Sequence, residues 1–224
     1  MRTLAIGDIH GASAALDALL AAVRPKAADR LVFLGDYVDR GPDSAGVLSR
    51  LVDMRWSLPN AVFLRGNHEL MMMNARHDRG ERKNWLSVGG VQCLQSYGNP
   101  GRFDDIPAGH WFFLDRECVD SFETDTHLFV HANLDGERPL DEQTESMLFW
   151  EFLTGPVRHF SGKTVVCGHT SQRSGDILDL GDTVCIDTFA HGSGWLTGLD
   201  VRTGEYWQAN QRGDVRTGQL PDRE

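Results

Sequence analysis

Three times before residue 70 the chain runs an apolar segment into a glycine and then into an acid or amide. LAIGD ends on Asp8, LVFLGD on Asp36 and FLRGN on Asn67. Each apolar run has the length and content of a buried strand. Between them lie segments with helical spacing. In ASAALDALLAAV the residues Leu16, Leu19, Leu20 and Val23 share a face, and Pro25 stops the helix. In DSAGVLSRLVDM the residues are Val47, Leu48, Leu51 and Val52, and ELMMMNARH follows the third strand as a third helix. A β-α-β-α-β-α order predicts a parallel sheet with right-handed crossovers. Ligands of such sheets bind beyond the carboxyl ends of the strands. Three strand ends would then deliver polar groups to one crevice.

The second half returns to strands: THLFVHA, KTVVCGHT, TVCIDT, WLTGLDV and EYWQAN, the last two flanking RTGE as a hairpin. Two of these runs end on a histidine, His131 and His169. The stretch from Asp78 to about Asp125 shows no clean period. The expectation is one α/β domain over residues 1–210 and a polar tail over 211–224.

Composition limits the partners. The 224 residues, 41% hydrophobic and 24% charged, support a core of normal density. A net charge of −10 argues against non-specific nucleic-acid binding, which needs basic surface. It leaves room for a small anionic substrate, since a few arginines or metal ions reverse the potential locally. No stretch approaches the ~20 apolar residues of a membrane helix. Cys93, Cys118, Cys167 and Cys185 form no CxxC pair and read as buried free thiols in a reducing cytosol. The expected location is cytoplasmic.

The polar residues that follow strands are Asp8 and His10, Asp36, Asn67 and His68, His131, and His169. Carboxylate, imidazole and amide oxygen without thiolate suit manganese, iron or zinc better than calcium. Asp8 and His10 stand two apart, which in extended backbone turns both side chains to one side. Without His68, six candidates exceed the three protein ligands of a single catalytic zinc. Two ions roughly 3.5–4 Å apart, with Asp36 as a bridging carboxylate, account for all of them. Two divalent ions bring four positive charges, Asp8 and Asp36 offset two, and the surplus suits a hydroxide and a phosphate ester. His68 has the ordinary pKa of a proton donor at neutral pH, and Asp39 is a carboxylate able to hold its ring. Arg40 and Arg65 flank the same loops and match phosphate oxygens. Taken singly, each residue has an ordinary explanation as turn, cap or solvated surface. Five segments placing such residues after strands do not. His77, His110, His127 and His159 lack this context, and His191 stays open.

The blocks GDIHG, GDYVDRG and LRGNHE, followed by HA and GHT, resemble the calcineurin-like metallophosphoesterase superfamily. More narrowly they are similar to PPP-type serine/threonine protein phosphatases in their short bacterial and phage form, and WLSVGGVQCLQSYG and CIDT…GSGWLTGLDV extend the likeness from Met1 to about Val201. The resemblance implies two packed mixed β-sheets flanked by helices, an α/β/β/α sandwich with a dimetal site at the sheet edge. It implies that Asp8, His10 and Asp36 hold one ion, that Asp36, Asn67, His131 and His169 hold the other, and that His68 with Asp39 is the general-acid pair beside Arg40 and Arg65. It also implies direct attack on phosphorus by a metal-activated hydroxide, without a phosphoenzyme. One departure stands out. Where the family often carries a phosphate-binding arginine after a tryptophan, LFWEFLT has Trp150 and then Phe152, so that either Arg158 or Arg173 replaces it or the phosphate clamp is reduced.

The expected activity is therefore hydrolysis of phosphoesters with two divalent ions, manganese first and iron or zinc as alternatives. The expected substrate is a phosphorylated protein or peptide carrying phosphoserine or phosphothreonine, with dual specificity open, or a small phosphoester. Symmetrical dinucleoside tetraphosphate hydrolysis is the second reading and a non-catalytic binding module the third.

Overall fold

The structure is a computed structural model that describes residues 1–98 and 100–221. The first three strands are β1 (Thr3–Ile6), β2 (Arg30–Phe33) and β3 (Val62–Phe63), and they pair in parallel as expected. The intervening helices are α1 (Ser13–Val23) and α2 (Ser44–Ser57), and α3 (Asn67–His77) follows β3. Arg24 ends α1 in a left-handed conformation just before Pro25, and the Asp43 carboxylate caps α2 by accepting the Gly46 N–H.

The remaining strands complete two sheets. With β4 (Ser121–Glu123), β5 (His127–Val130), β6 (Thr164–Cys167), β7 (Leu178–Asp179), β8 (Thr183–Cys185), β9 (Leu196–Asp200), β10 (Glu205–Ala209) and β11 (Val215–Gln219), one sheet runs β11-β10-β9-β1-β2-β3 and the other β4-β5-β6-β8-β7. Both are mixed, with β1–β2–β3 and β5–β6–β8 parallel and the outer strands antiparallel.

The period of two along the strands explains why the sheets stack. Ala5, Val32, Phe129, Val166 and Val184 point inward and form one core between the sheets. Leu4, Ile6, Leu31 and Phe33 point the other way, onto α1 and α2. Leu128, Val130, Val165 and Cys167 do the same on the far side, against α7 (Glu145–Phe149). Helix, sheet, sheet and helix therefore form four layers. The strands read as continuous apolar runs because both their faces are buried. Gly7 closes the first strand where the two sheets meet. A Cβ there would lie 2.4 Å from the Ile186 carbonyl oxygen, so no larger residue lets the strand ends approach.

The unreadable middle is a helical cap. It contains α4 (Arg79–Trp85), α5 (Val91–Tyr97) and α6 (Ala108–Phe112), with the kink between α4 and α5 at Gly89. These helices are short, and α4 and α5 bury only Trp85 and Cys93, so no long apolar period marks them. The hairpin expected around RTGE is β9–β10. Residues 211–224 are polar as expected, but Val215–Gln219 is an exposed edge strand paired with β10 rather than free chain, and residues 222–224 lie outside the described residues. All four cysteines are buried free thiols. Among the described residues no helix is long and apolar enough to cross a membrane.

Candidate active site

The carboxyl ends of both parallel strand sets open on one side, and there the chain leaves ordinary backbone. His10, Asp36, Asp39, Arg40, His169 and Phe189 all have positive φ, between 46° and 73°. Non-glycine residues rarely adopt this region, and clusters of them mark sites where packing holds a side chain against local preference. The extended backbone expected for Asp8 to His10 is thus corrected. A left-handed His10 turns its ring, with φ of 46° and Nδ1–H donating to the Val38 carbonyl at 2.9 Å.

Asp36 is the centre of the arrangement. Its Oδ2 lies 3.2 Å from His10 Nε2 and its Oδ1 lies 3.4 Å from His131 Nε2. One ligand atom from each of His10, Asp36 and His68 lies within 4.8 Å of the others, and the same holds for Asp36, His131 and His169. The carboxylate is shared by both groups, with one oxygen toward each. Burial opposes its ionisation, but His131, His68 and His10 around it outweigh burial and hold it well below the usual carboxylate range.

The second group fits a cation by its lone pairs. His131 is fully buried, burial lowers its pKa, and its Nδ1–H donates to the Leu34 carbonyl at 2.8 Å. Nε2 of the neutral ring is then an acceptor, yet it faces the Asn67 Oδ1 acceptor at 3.1 Å and the Asp36 carboxylate. Acceptors do not converge like this without a positive charge among them. His169 Nε2 is buried with no hydrogen-bond partner, and burial beside His131 lowers this ring to about 4, leaving it neutral with its lone pair free.

Asp8 points the same way. Its Oδ2 accepts the His169 N–H at 3.0 Å while Oδ1 is buried and unpartnered. Burial, then Asp187 and Asp36, raise its pKa well above normal, which a cation beside Oδ1 would reverse. Gly168 makes room for that oxygen, since a Cβ there would stand 2.0 Å from Oδ1. These vacant lone pairs on Asp8, Asn67, His131 and His169 fit two divalent ions.

His68 and Asp39 form the expected pair, with Nδ1 to Oδ2 at 2.6 Å and both side chains buried. Burial lowers the His68 pKa, but Asp36 and Asp39 outweigh it and the net shift is upward. Arg40 enters the cleft and donates from Nη1 to His10 Nε2 at 2.8 Å.

Arg65 does not join them. Its guanidinium donates to the Cys118 carbonyl at 2.8 Å and the Leu114 carbonyl at 3.4 Å and pairs with Asp120, so it ties the strand end to the loop before β4. That corrects its expected place beside the phosphate. Arg158 also turns away, onto Asp182, whereas Arg173 lines the cleft with Phe152, Trp150, Phe189 and His191.

Two residues escaped the sequence reading. Glu69 accepts the backbone N–H groups of Asp36, Tyr37 and Gly66, each at 2.8 Å, and of Val38 at 3.2 Å. It clamps the loop carrying Asp36 to the start of α3. Its signal is the acid that closes the LRGNHE block in the first turn of α3, to which the sequence reading gives no role. Trp85 donates its indole N–H to Asp39; it opens the WLSVGGVQCLQSYG segment of the family likeness, but nothing there indicates this contact.

Known proteins frame this geometry. The chain is similar to serine/threonine-protein phosphatase 2 of Escherichia coli K12, with 28% identity over 227 residues, spanning 88% of this chain and 91% of that protein. It is 46% identical over 76 residues to the Drosophila melanogaster serine/threonine-protein phosphatase rdgC, covering 32% of this chain and 11% of the relative. It is 42% identical over 79 residues to the symmetrical bis(5'-nucleosyl)-tetraphosphatase of Pseudomonas putida GB-1, covering 35% of this chain and 26% of the relative. The chain thus spans about a tenth and a quarter of the length of these last two. A solved structure of a candidate diadenosine tetraphosphatase superposes with a TM-score of 0.67 at 23% identity, over 97% of this chain and 93% of that one. The family model for calcineurin-like phosphoesterases matches residues 1–201. The chain belongs to the calcineurin-like phosphoesterase family, whose members hydrolyse phosphoesters.

Proposed function

We propose that the protein is a dimetal phosphomonoesterase that removes phosphate from phosphoserine and phosphothreonine in proteins or peptides, with manganese as the working metal. The observation that carries the metal reading is Asp36, whose two oxygens each face a separate imidazole. Asp8, His10 and Asp36 would hold one ion, and Asp36, Asn67, His131 and His169 the other. His68 falls within the first geometric group, but its Nδ1 is committed to Asp39, and we assign it the proton instead. The free thiols, Cys93, Cys118, Cys167 and Cys185, support a cytoplasmic setting.

When bound, two divalent ions supply positive charge to a phosphate and acidify a water. The chain's own residues do the rest. Arg40 and Arg173 offer guanidinium donors on the cleft wall for phosphate oxygens, Arg173 taking the part left vacant at Phe152. Asp39 holds the His68 ring by Nδ1–H, so Nε2 carries the proton given to the departing alkoxide. Protonated His68 is what the upward shift favours, and serine and threonine are poor leaving groups that need it.

The test is Asp36→Asn. It should abolish manganese-dependent hydrolysis of a phosphopeptide, and near-normal turnover would end the dimetal reading. A second reading, hydrolysis of symmetrical dinucleoside tetraphosphates, is favoured by the 42% identity to the Pseudomonas putida enzyme in the segment it shares. Assaying a phosphopeptide beside diadenosine tetraphosphate separates the two. A non-catalytic scaffold is disfavoured because every proposed ligand is present. It would be revived by fewer than about one ion per chain with manganese supplied.

A further inference from the structure

The helical cap carries a furrow that the metal site does not use. Its larger part encloses about 840 Å³ and is lined by Arg76, Arg82, Arg102, Phe103, Asp104 and Trp111, among others. A second hollow of about 410 Å³ adjoins it, sharing Arg76, His77 and Trp111 and reaching Phe112. None of these residues lines the cleft at Asp36.

The sign of the charge is inverted there. The whole chain carries −10, yet the larger hollow sets three arginines against one acid, Asp104. Among the described residues Arg76, Arg82 and Arg102 form no ion pair, whereas Arg2, Arg50, Arg55 and Arg65 each sit on a carboxylate. Two neighbouring acids are spent on backbone. Asp78 accepts the Glu81 N–H at 2.9 Å, and Asp105 accepts the Arg102 N–H at 2.8 Å. Like charges gathered without a counter-charge repel one another, and a bound anion relieves the repulsion.

The guanidinium groups are held in place by rings. Arg76 lies over Trp111, 4.7 Å from its centroid, and Arg82 over Phe103 at 4.5 Å. The two rings are nearly parallel, at 12°, with centroids 6.1 Å apart. Phe103 packs in turn on the buried Trp85 at 5.4 Å, which anchors the pair in the cap. An arginine with its face on a ring keeps its N–H edges free for a carboxylate and has less freedom left to lose on binding. Arg82 also donates to the Ala75 and Arg76 carbonyls, at 3.0 and 3.2 Å, and so closes the end of α3. Arg76 and Arg102 are exposed, and among the described residues their guanidinium donors are uncommitted.

The extent of the furrow selects among anions. The larger hollow alone has the size of a small-ligand site, and the furrow continues past Trp111 to Phe112, which is 55% exposed. Its two uncommitted arginines come from separate segments, Arg76 from α3 and Arg102 from the chain between α5 and α6. An occupant with anionic groups along its length engages both, and an apolar side chain beside them covers Phe112. We propose that this furrow docks an acidic polypeptide segment, with carboxylates on Arg76 and Arg102 and an apolar side chain against Trp111 and Phe112. The assignment stands apart from the phosphoesterase reading and adds to it a contact that holds a protein outside the metal cleft.

The test uses a fluorescein-labelled peptide of glutamates interspersed with phenylalanine, and its glutamine counterpart, titrated into manganese-supplied protein by fluorescence anisotropy. The glutamate peptide should bind roughly tenfold tighter, the scale of one charge-assisted contact. Arg76→Glu combined with Arg102→Glu should erase that preference. Arg158→Glu combined with Arg212→Glu makes the same change in charge outside the furrow and should keep it. Unchanged turnover of p-nitrophenyl phosphate reports that both double variants are folded. No preference in the parent protein, a preference that survives the first double variant, or an equal loss in both overturns the proposal. Displacement of the glutamate peptide by sulfate but not by chloride at the same ionic strength makes the furrow a small-anion site and overturns the polypeptide assignment. None of these outcomes touches the phosphoesterase reading, which fails separately if the metal-supplied protein hydrolyses no ester.

Discussion

Trp85 donates its indole N–H to both oxygens of Asp39, at 3.0 and 2.9 Å, while Asp39 takes the Nδ1–H of His68 at 2.6 Å. Three buried side chains from three elements thus form one chain of hydrogen bonds ending at the proposed proton donor. Burial raises the Asp39 pKa, with His68 and Trp85 opposing, so the indole helps keep this carboxylate ionised in a place water does not reach.

Trp85→Phe keeps most of the ring and removes the donor. The loss of a hydrogen bond to a buried carboxylate should cost about 1–3 kcal/mol in urea unfolding. Turnover should fall further on alkyl phosphates than on p-nitrophenyl phosphate, because only the former need His68 as a strong acid. Equal losses on both would mean that Trp85 is packing alone.

Glu69 gives the second prediction. It takes four backbone N–H groups, two on each oxygen, and burial with the nearby Asp36 charge raises its pKa to about 7. Glu69→Gln places an amide NH₂ against two N–H donors. It should destabilise the fold by about 2–4 kcal/mol and loosen the loop bearing Asp36. Manganese affinity, read by calorimetry, should drop, and excess manganese should recover part of the activity. A variant with parental metal affinity would show that the clamp does not position Asp36.

The contrast between Asp36 and Trp85 explains what could be read in advance. Strand ends are legible because a buried strand is an unbroken apolar run, and the glycine and polar residue that follow it break the pattern abruptly. That break picks out Asp8, Asp36, Asn67, His131 and His169 as candidates, whereas the two packed sheets are implied only by the family resemblance. Trp85 reaches the site from the helical cap, whose short helices bury too few residues to show a period. Its function depends on a contact with Asp39 across 46 positions. Arg65 failed for the opposite reason. It sits in the right loop, but its direction is set by carbonyls of Leu114 and Cys118, which no spacing near FLRGN reveals.

That misplacement is itself testable. Arg40 faces the cleft and Arg65 faces the protein, so their removal should have different signatures. Arg40→Ala should weaken inhibition by inorganic phosphate about tenfold or more, since a charge-assisted contact is lost. It should leave manganese binding at least as tight, because Arg40 competes for the His10 Nε2 lone pair. Arg65→Ala should lower thermal stability and leave the phosphate inhibition constant alone. Weakened phosphate inhibition in Arg65→Ala would return that residue to the site.

His110 supplies a pH prediction away from the metals. It is buried between α2 and the cap, with Tyr97 O–H donating to Nδ1 at 2.9 Å and Nε2–H donating to Ser49 Oγ at 3.2 Å. Ser49 spends its own proton on the Ala45 carbonyl at 2.8 Å, so this network is complete only with a neutral ring. Burial lowers the His110 pKa below 6.5, with a smaller opposing effect from Asp53. Below about pH 6.5 the unfolded chain therefore binds a proton that the folded one refuses, and stability falls with pH until the folded group titrates too. His131 and His169, which burial also lowers, act in the same direction, so the readout is a difference. The stability lost between about pH 8 and pH 5 should be smaller in His110→Asn than in the parent protein, even though the variant starts less stable. Parallel profiles would place the acid sensitivity elsewhere, in His131 and His169.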